Sequence, residues 1–511
     1  MSAAVAPPAD EKAVNIQPVD AEVGQDDATL KGVTASDDVA RAYYLQAKDE
    51  DISVEEQRRV LRKIDLHMLP MLSLTALMQY LDKTTINYSA NYGLREGLGM
   101  VGSQYSWASS IFFFGALFWQ YPSLLIMQRL PVGRYFASQV FCWGALTLLM
   151  AVSSNFGGFA ALRFLLGATE SIQLAACFII SSMYYTREEQ PIRLMAWYAM
   201  NPVATILGSL FAYGVGYINS PVALWKFPFI ICGALSTAWA IALWFMLPSN
   251  PATAWFLKDR ERLVAIKRVE NNNTGMESKK FKKDQAIEAF LDPKVWLIAI
   301  SVGAGNILAG LGLFSSLVIR GFGFDQFQTA LLQMPAGGID IVALFAFTLA
   351  ATYIPNSRLA FSILAGIIAL VGTVMLYAFE VQDRWAQMAG MWILKGFIPV
   401  GFLLSMTSTN GNIAGHTKKL TTQAIIFVCH STGSLVGPQL YTTPPYRQGL
   451  QANIVAVAVT VLCGILLLLY LIWENKKRRE FLEANRHLLN EEDYKFRDLT
   501  DKQNPFCFNK L

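Results

Sequence analysis

Charge is scarce in this chain. Of 511 residues only 16% are Asp, Glu, Lys or Arg, against 53% that are hydrophobic, whereas soluble globular proteins carry about 25% charged residues. The charge collects in three places: the first 65 residues, a stretch from about 257 to 294, and the last 38. A set of water-soluble domains would lack a polar surface and is excluded. Cysteine is sparse too. The six, at 142, 177, 232, 429, 463 and 507, form no CxxC pair and no Cys/His cluster, so neither a metal centre nor a disulfide framework is expected. A nucleophile elbow and a phosphate loop are missing as well, which argues against an enzyme and a bound cofactor. The net charge of +4 is small, and basic residues beside apolar runs suit a membrane surface better than nucleic acid. The polar, acidic N-terminus has no basic n-region or cleavage site. No secretory signal peptide is therefore expected, and the first apolar helix is predicted to act as an uncleaved signal.

What is present is a series of long apolar runs, such as 139–152, 229–247, 359–379 and 452–473. A helix needs about 20 apolar residues to cross the hydrocarbon core. Spans are predicted at 66–90, 105–127, 134–153, 157–184, 193–218 and 225–247, then at 295–320, 327–354, 358–379, 385–408, 420–443 and 450–473. The distribution of basic residues orients them. With the N-terminus inside, the inner loops hold Arg129 and Arg134, Arg187 and Arg193, Arg358, and Lys418 and Lys419. The central loop adds ten basic residues between Lys258 and Lys294, and the tail opens with Lys476-Lys477-Arg478-Arg479. Outer loops carry at most one each: Arg95, Lys226, Arg320, Arg384 and Arg447. Removing or adding one helix would invert half of this pattern. Twelve spans with both termini in the cytosol are expected.

The chain then divides into a cytosolic N-terminal segment (1–65), a first half (66–250), a cytosolic central loop (251–294), a second half (295–473) and a cytosolic tail (474–511). Residues 1–50 and 274–285 read as solvated, mobile segments, and 51–65 as a short amphipathic helix leading into the first span. Sequons at Asn87 and Asn272 lie near a helix end and on the cytosolic side, so neither is expected to carry a glycan. Pro131-Val132-Gly133-Arg134, between spans two and three, is echoed by Pro355-Asn356-Ser357-Arg358, between spans eight and nine. Such an echo fits two parallel repeats. It reads as a tight cytosolic turn whose arginine meets helix ends or acidic partners in one gate state, with Arg129, Gly133, Arg134 and Arg358 as gating-loop candidates.

Seven ionisable residues fall within predicted spans: Asp82, Lys83, Arg163, Glu170, Asp340, Lys395 and His430. Each buried charge costs about 2.5–3.5 kcal/mol on insertion scales, so these must face each other or a wet cavity. Asp82 and Lys83 are adjacent and point about 100° apart, one toward a cavity and the other toward a neighbouring helix, unless both reach the outer interface. Lys83 is the leading candidate for a substrate carboxylate. Arg163 and Glu170 stand seven residues apart, on one helix face. Desolvation favours the protonated form of a carboxyl and a nearby cation the ionised form, so an anion arriving at Arg163 can change how Glu170 holds a proton. The bland alternative is a static pair bracing the helices. Lys395 completes an anion site from the second half, or pairs with Asp340. His430, one histidine in an apolar stretch, suits hydrogen-bonded packing better than a proton relay. Tyr198, Asn201 and Asn306 are candidate cavity lining, the last in a Gly-rich stretch (GAGNILAGLG) that permits irregular helix. The candidate set is therefore Lys83, Arg163, Tyr198, Asn201, Asn306 and Lys395 for substrate, with Glu170, Asp82, Asp340 and His430 for proton coupling.

Several longer stretches carry a resemblance: LDKTTINYSANYGLREGLG, QYSWASSIFFFGALFWQYPSLLIMQRLPVGRY, RFLLGATES, YYTREEQPIRLMAWYAMN, LDPKVWLIAI, GFGFDQFQTALLQMPAGG, NGNIAGHTKKLTTQAIIF, STGSLVGPQLY and, in the tail, RDLTDKQNP. From about residue 50 onward the chain resembles the fungal allantoate permease family, in the anion:cation symporter branch of the major facilitator superfamily. The resemblance implies the major facilitator fold: an all-α membrane protein of twelve transmembrane helices in two six-helix halves, normally a monomer. It also implies proton-coupled uptake of a small organic anion, such as a vitamin, ureido acid or amino acid derivative, at the fungal plasma membrane. The Arg163–Glu170 spacing is similar to that of vesicular glutamate and sialic acid carriers of the branch, where the arginine helps bind the anion and the glutamate takes part in proton coupling. Two departures, Asn201-Pro202 where many relatives have Asn-Gly and SIQLAACF without the usual proline after Glu170, bear on substrate more than on fold. Efflux of a fungal metabolite is an alternative, disfavoured because NPVATILGSLFAYG lacks the full Gly-Pro motif of efflux families. A nutrient sensor is a further alternative, for which the extensions show no docking element.

Overall fold

The computed structural model describes residues 52–186, 189–270, 282–354, 356–379, 383–484, 500–504, 506–507 and 509. Residues 1–51, the Asn272 sequon, Arg187, Pro355 and most of 274–285 lie outside the described residues, as does the Arg-Asp-Leu that begins the tail motif.

Among the described residues the regular structure is helical. The first half holds α1 (Val54–Asn91), α2 (Leu94–Gly97), α3 (Gln104–Arg129), α4 (Val132–Met150), α5 (Phe156–Glu170), α6 (Gln173–Tyr184), α7 (Gln190–Tyr198), α8 (Met200–Val215) and α9 (Phe227–Met246). The central stretch forms α10 (Asp259–Glu270) and α11 (Lys283–Leu291). After it come α12 (Pro293–Asn306), α13 (Ala309–Gly321), α14 (Gln326–Leu331), α15 (Met334–Tyr353), α16 (Arg358–Ala378), α17 (Arg384–Asn412), α18 (His416–Gln439) and α19 (Arg447–Ala484). Nine helices or helix pairs among the described residues are long and apolar enough to cross a membrane. The long helices α1, α4 and α18 fall outside that set.

Three differences from the expected spans have local causes. The amphipathic stretch and the first span are one helix, α1. The Ser53 hydroxyl caps its N-terminus by accepting from the Glu56 N–H at 3.2 Å, and Glu55 and Glu56 in the first turn complement the dipole. Secondly, four expected spans are broken: after Glu170, at Ala199, at Ile307–Leu308 and at Leu332–Gln333. Pro202 cannot donate to the Tyr198 carbonyl four residues back, nor Pro335 to that of Leu331, and both breaks fall in those turns. Thirdly, the last helix runs to Ala484, so the residues expected as the start of a cytosolic tail continue it.

Helices up to Met246 pack mainly on one another, α4 on α9 and α3 on α5, and those from Pro293 likewise, α16 on α17 and α12 on α18. The two groups meet along α3 with α18, α8 with α15, and α1 with α13. Small residues allow the closest approaches. A Cβ on Gly167 of α5 would lie 1.8 Å from the Phe112 carbonyl oxygen of α3. Helix α10 is fastened to the first group by ion pairs Lys63–Glu261, Arg260–Glu56 at 2.8 Å and Arg268–Glu189 at 2.7 Å.

Candidate functional site

Helix α1 sorts its polar side chains by angle. Asp82 is wholly buried and turns toward α4 and α9, where the Ser236 hydroxyl donates to its Oδ2 next to the Trp143 indole. Lys83, one residue on, points to α3: its Nζ lies 5.3 Å from the centre of the Phe113 ring and 6.0 Å from that of Phe112. Gln79, one turn earlier, donates from Nε2 to Glu170 Oε2 at 2.8 Å. Of the adjacent charged pair, then, Asp82 takes the helix–helix interface and Lys83 the interior.

On α5, Arg163 is 0% exposed. Its Nε donates to the Ala108 carbonyl at 3.3 Å and its Cζ lies 5.1 Å from the Phe112 ring centre. Both terminal nitrogens are buried with no hydrogen-bond partner, as is Glu170 Oε1. No ion pair within 4 Å joins Lys83, Arg163 and Glu170, yet all three lie within electrostatic reach of one another. Two cations and one carboxylate thus lie near one another, with the Phe112 ring beside both cations and Phe113 beside Lys83. Stacking on Phe112 stabilises the guanidinium by about 0.5–2 kcal/mol, well short of what its two unbonded nitrogens lose by leaving water.

The second half contributes separately. Lys395 Nζ donates to Ser315 Oγ at 3.0 Å and is not paired with Asp340. Asp340 is buried, its Oδ1 has no partner, and its electrostatic neighbours are Tyr80 and Tyr198. His430 packs parallel to Phe427, ring centres 6.3 Å apart, with Nδ1 buried and unbonded, so the hydrogen bond expected of a packing histidine is not made through that atom. It lies within electrostatic reach of Lys83. Asn306, at the break between α12 and α13, spends its amide on the Val302 carbonyl of its own helix at 2.8 Å. Asn201 lies in the first turn of α8, where its carbonyl accepts from the Thr205 hydroxyl at 3.3 Å. The structure therefore gathers Lys83, Arg163 and Glu170 with His430 at their edge, and groups Asp340 with Tyr198, while Lys395, Asn201 and Asn306 bond to neither group. Gln79, Phe112, Phe113 and Tyr80 join these groups, and Ser315 holds Lys395, although sequence reasoning did not single them out. Of these only Gln79, an amide four residues before Lys83 on the same helix, left a usable signal.

The gating-loop candidates are at the periphery. Arg129, Arg134 and Arg358 are exposed and make no ion pair with any described residue. Gly133 is buried against the end of α9, where a Cβ would come 2.6 Å from the Leu247 carbonyl oxygen.

At one end the two helix groups are joined by polar bonds, those of Asn87 buried. Asn87 Nδ2 donates to Gln333 Oε1, and its Oδ1 accepts from the Ser316 N–H, both at 2.8 Å. Arg320 donates to the Asn91 carbonyl at 3.2 Å, and the Ser110 hydroxyl to that of Leu435 at 2.8 Å. The nitrogen that a glycan on Asn87 would occupy is committed to this seam.

The family model of the Major Facilitator Superfamily matches residues 72–438. The chain is 38% identical over 466 residues to an uncharacterized transporter of Schizosaccharomyces pombe, covering 89% of this chain and 88% of the other. It is 32% identical to the allantoate permease of Saccharomyces cerevisiae over 530 aligned residues, covering 97% and 96%. It belongs to the Major Facilitator Superfamily, among the fungal allantoate permease-like transporters. The fold agrees with solved structures of low identity: a D-xylose–proton symporter (TM-score 0.59, 10% identity, 79% of this chain and 97% of that one) and a bacterial homolog of the human lysosomal transporter Spinster in an inward-facing, unoccupied conformation (TM-score 0.57, 15% identity, 82% and 97%). As a facilitator the chain is a membrane transporter and not an enzyme.

Proposed function

We propose that this facilitator imports a small organic anion together with protons across the fungal plasma membrane, as a monomer with twelve spans and both termini in the cytosol. The observation that carries the reading is the interior cation pair: the guanidinium of Arg163 has two buried nitrogens without partners, and the Lys83 ammonium rests over aromatic rings with no carboxylate bonded to it. A bound carboxylate would satisfy both, with the bidentate geometry that guanidinium favours. Glu170, held by Gln79 and facing both cations, is the candidate proton carrier, and Asp340 beside Tyr198 the second. The twelve-span count is supported by a helix or broken helix at each expected stretch, and the orientation by the placement of basic residues. The domain boundaries follow from that count: halves over 66–250 and 295–473, around a central loop and flanked by cytosolic extensions.

The test is growth and labelled uptake in a yeast strain stripped of its own carriers, screened across vitamins, ureido acids and amino acid derivatives. Saturable uptake of an anion, abolished by a protonophore, is the expected result. Saturable uptake of cations or neutral compounds alone would sink the anion reading.

A further inference from the structure

Away from the interior site lies a second, larger set of charged groups, at the end of the bundle where α11, α12 and α18 begin and the extension of α19 passes. Four cations, Lys294, Lys418, Arg478 and Lys502, meet four carboxylates, Glu288, Asp292, Glu474 and Asp501. Lys418 Nζ lies 2.9 Å from Glu288, 2.7 Å from Asp292 and 2.7 Å from Asp501. Lys294 pairs with Glu474 at 3.1 Å and with the other oxygen of Asp501. Both ammonium groups are buried, and Asp501 is 0% exposed. The oxygens of Glu288, Asp292 and Asp501 lie within 4.8 Å of one another, and the Lys418 ammonium occupies the position among them that a metal ion would need.

Asp501 differs from its companions in origin. It arrives from the C-terminal segment, more than eighty residues after Lys418, and bridges two buried cations on different helices. Removing one partner of a buried pair leaves an uncompensated charge, a far larger loss than the net worth of the pair. The segment is fixed by more than that carboxylate. The buried Thr500 hydroxyl donates to Glu288 Oε2 at 2.9 Å, the Ala414 N–H to Asp501 at 3.4 Å, and Asn509 exchanges two bonds of 2.9 Å with Asn475. Glu288 sits on α11, whose Gln285 also accepts from the Thr417 N–H at 3.1 Å. Thr500 and Asp501 thus complete a receptor built by the central-loop helix and the ends of three bundle helices.

We propose that the C-terminal segment 500–504 is a detachable strap, an aspartate-bearing peptide docked in cis, and that its docking seats α11 on the second half. With the strap in place, α11, α12, α18 and α19 form one body at this end. With it released, Lys294 and Lys418 lose their shared counter-ion and α11 loses the Thr500 contact. The inference does not depend on what the facilitator carries.

Native Cys507 is the reporter. It is partly buried within electrostatic reach of Arg478, Asp501, Lys294 and Glu474. Full-length protein in detergent is treated with a maleimide and the Cys507 peptide is quantified by mass, alongside hydrogen exchange over 283–291. Asp501→Ala is expected to label about tenfold faster than wild type or more and to lose exchange protection over 283–291, while Asp501→Glu stays within about twofold of wild type. Wild-type labelling of Asp501→Ala would overturn the strap; fast labelling with α11 still protected would overturn its seating role. If Asp501→Ala does not survive purification, millimolar synthetic peptide 497–506 added to wild type is expected to speed Cys507 labelling, with the Asp501→Ala peptide inert. No effect of either peptide also overturns the proposal.

Discussion

Arg163 has a donor to spare at each end of its guanidinium, and nothing in the protein takes them. Truncating one side of a buried, charge-assisted contact costs about 2–5 kcal/mol, or roughly 30-fold to several-thousand-fold in affinity. We therefore expect Arg163→Ala and Lys83→Ala each to abolish measurable uptake while surface delivery, followed by microscopy of a tagged chain, stays at the wild-type level. Arg163→Lys should fail as well, because a point ammonium cannot reproduce the fork that meets a carboxylate. Normal uptake in both alanine variants would remove the anion site. Glu170→Gln keeps the size of the side chain that Gln79 holds and removes its titratable proton. Uptake by this variant should no longer respond to an imposed pH gradient; if it still collapses fully with an uncoupler, Glu170 is not the coupling residue. At this scale the sequence was partly legible. A seven-residue interval was enough to put Arg163 and Glu170 on one face, and adjacency was enough to part Asp82 from Lys83. Which of the two would face inward was decided by Ser236, 154 positions away, and such a partner leaves no mark in local spacing.

Among elements, close helix contacts and the strap make opposite demands on side chains. Helices α3 and α5 touch through backbone, and a methyl at Gly167 would meet the Phe112 carbonyl at 1.8 Å, so Gly167→Ala must push the helices apart. Overpacking of this kind costs about 1–3 kcal/mol. Gly167→Ala is expected to lower the thermal midpoint in detergent by several degrees, whereas Gly214→Ala, with nothing within 4 Å of its Cβ, should leave it unchanged; equal midpoints would show that the α3–α5 contact yields. The strap is sensitive to charge. Burial alone would raise the Asp501 carboxyl, but Lys294 and Lys418 outweigh it and hold the group below the usual carboxylate range. A depressed carboxylate stabilises fully above its unfolded value of about 4 and loses that contribution only as pH falls through the lower folded value. The midpoint difference between wild type and Asp501→Ala should therefore be constant from about pH 5 to pH 8 and shrink only at lower pH. A difference that vanished by pH 5 would mean that Asp501 is not held by those lysines. Helix positions were readable from apolar runs; the breaks were not foreseen, although Pro202 and Pro335 stand beside two of them. The docking of Asp501 on Lys418 was not readable, because an ion pair joining a tail to a helix start has no periodicity.

For the whole molecule, the question is which contacts persist and which break as the two helix groups move. Helix α10 is fastened to the first group and α11 to the second, and 271–281 lies between them. Each of these fastenings lies within one group, so neither need break when the groups rock. The seam at the other end is different. Asn87 on α1 bonds both Gln333 and Ser316 across the boundary, and Asn91 bonds Gln326, so opening between the groups at that end has to break these bonds. Aromatic contacts cross the same boundary, Tyr105 on Phe314 at 4.8 Å and Tyr217 on Phe327 at 4.9 Å, so opening there also uncovers apolar rings, while water can replace each polar partner. Cysteines at positions 87 and 333, joined by a short thiol-cleavable cross-linker, should arrest uptake of the substrate that the screen identifies, and reductant should restore it. The same cross-linker between cysteines at 63 and 261, where Lys63 and Glu261 pair within the first group, should leave uptake intact. Continued transport with 87 and 333 joined would mean that the groups never part at this seam, and that the carrier opens elsewhere.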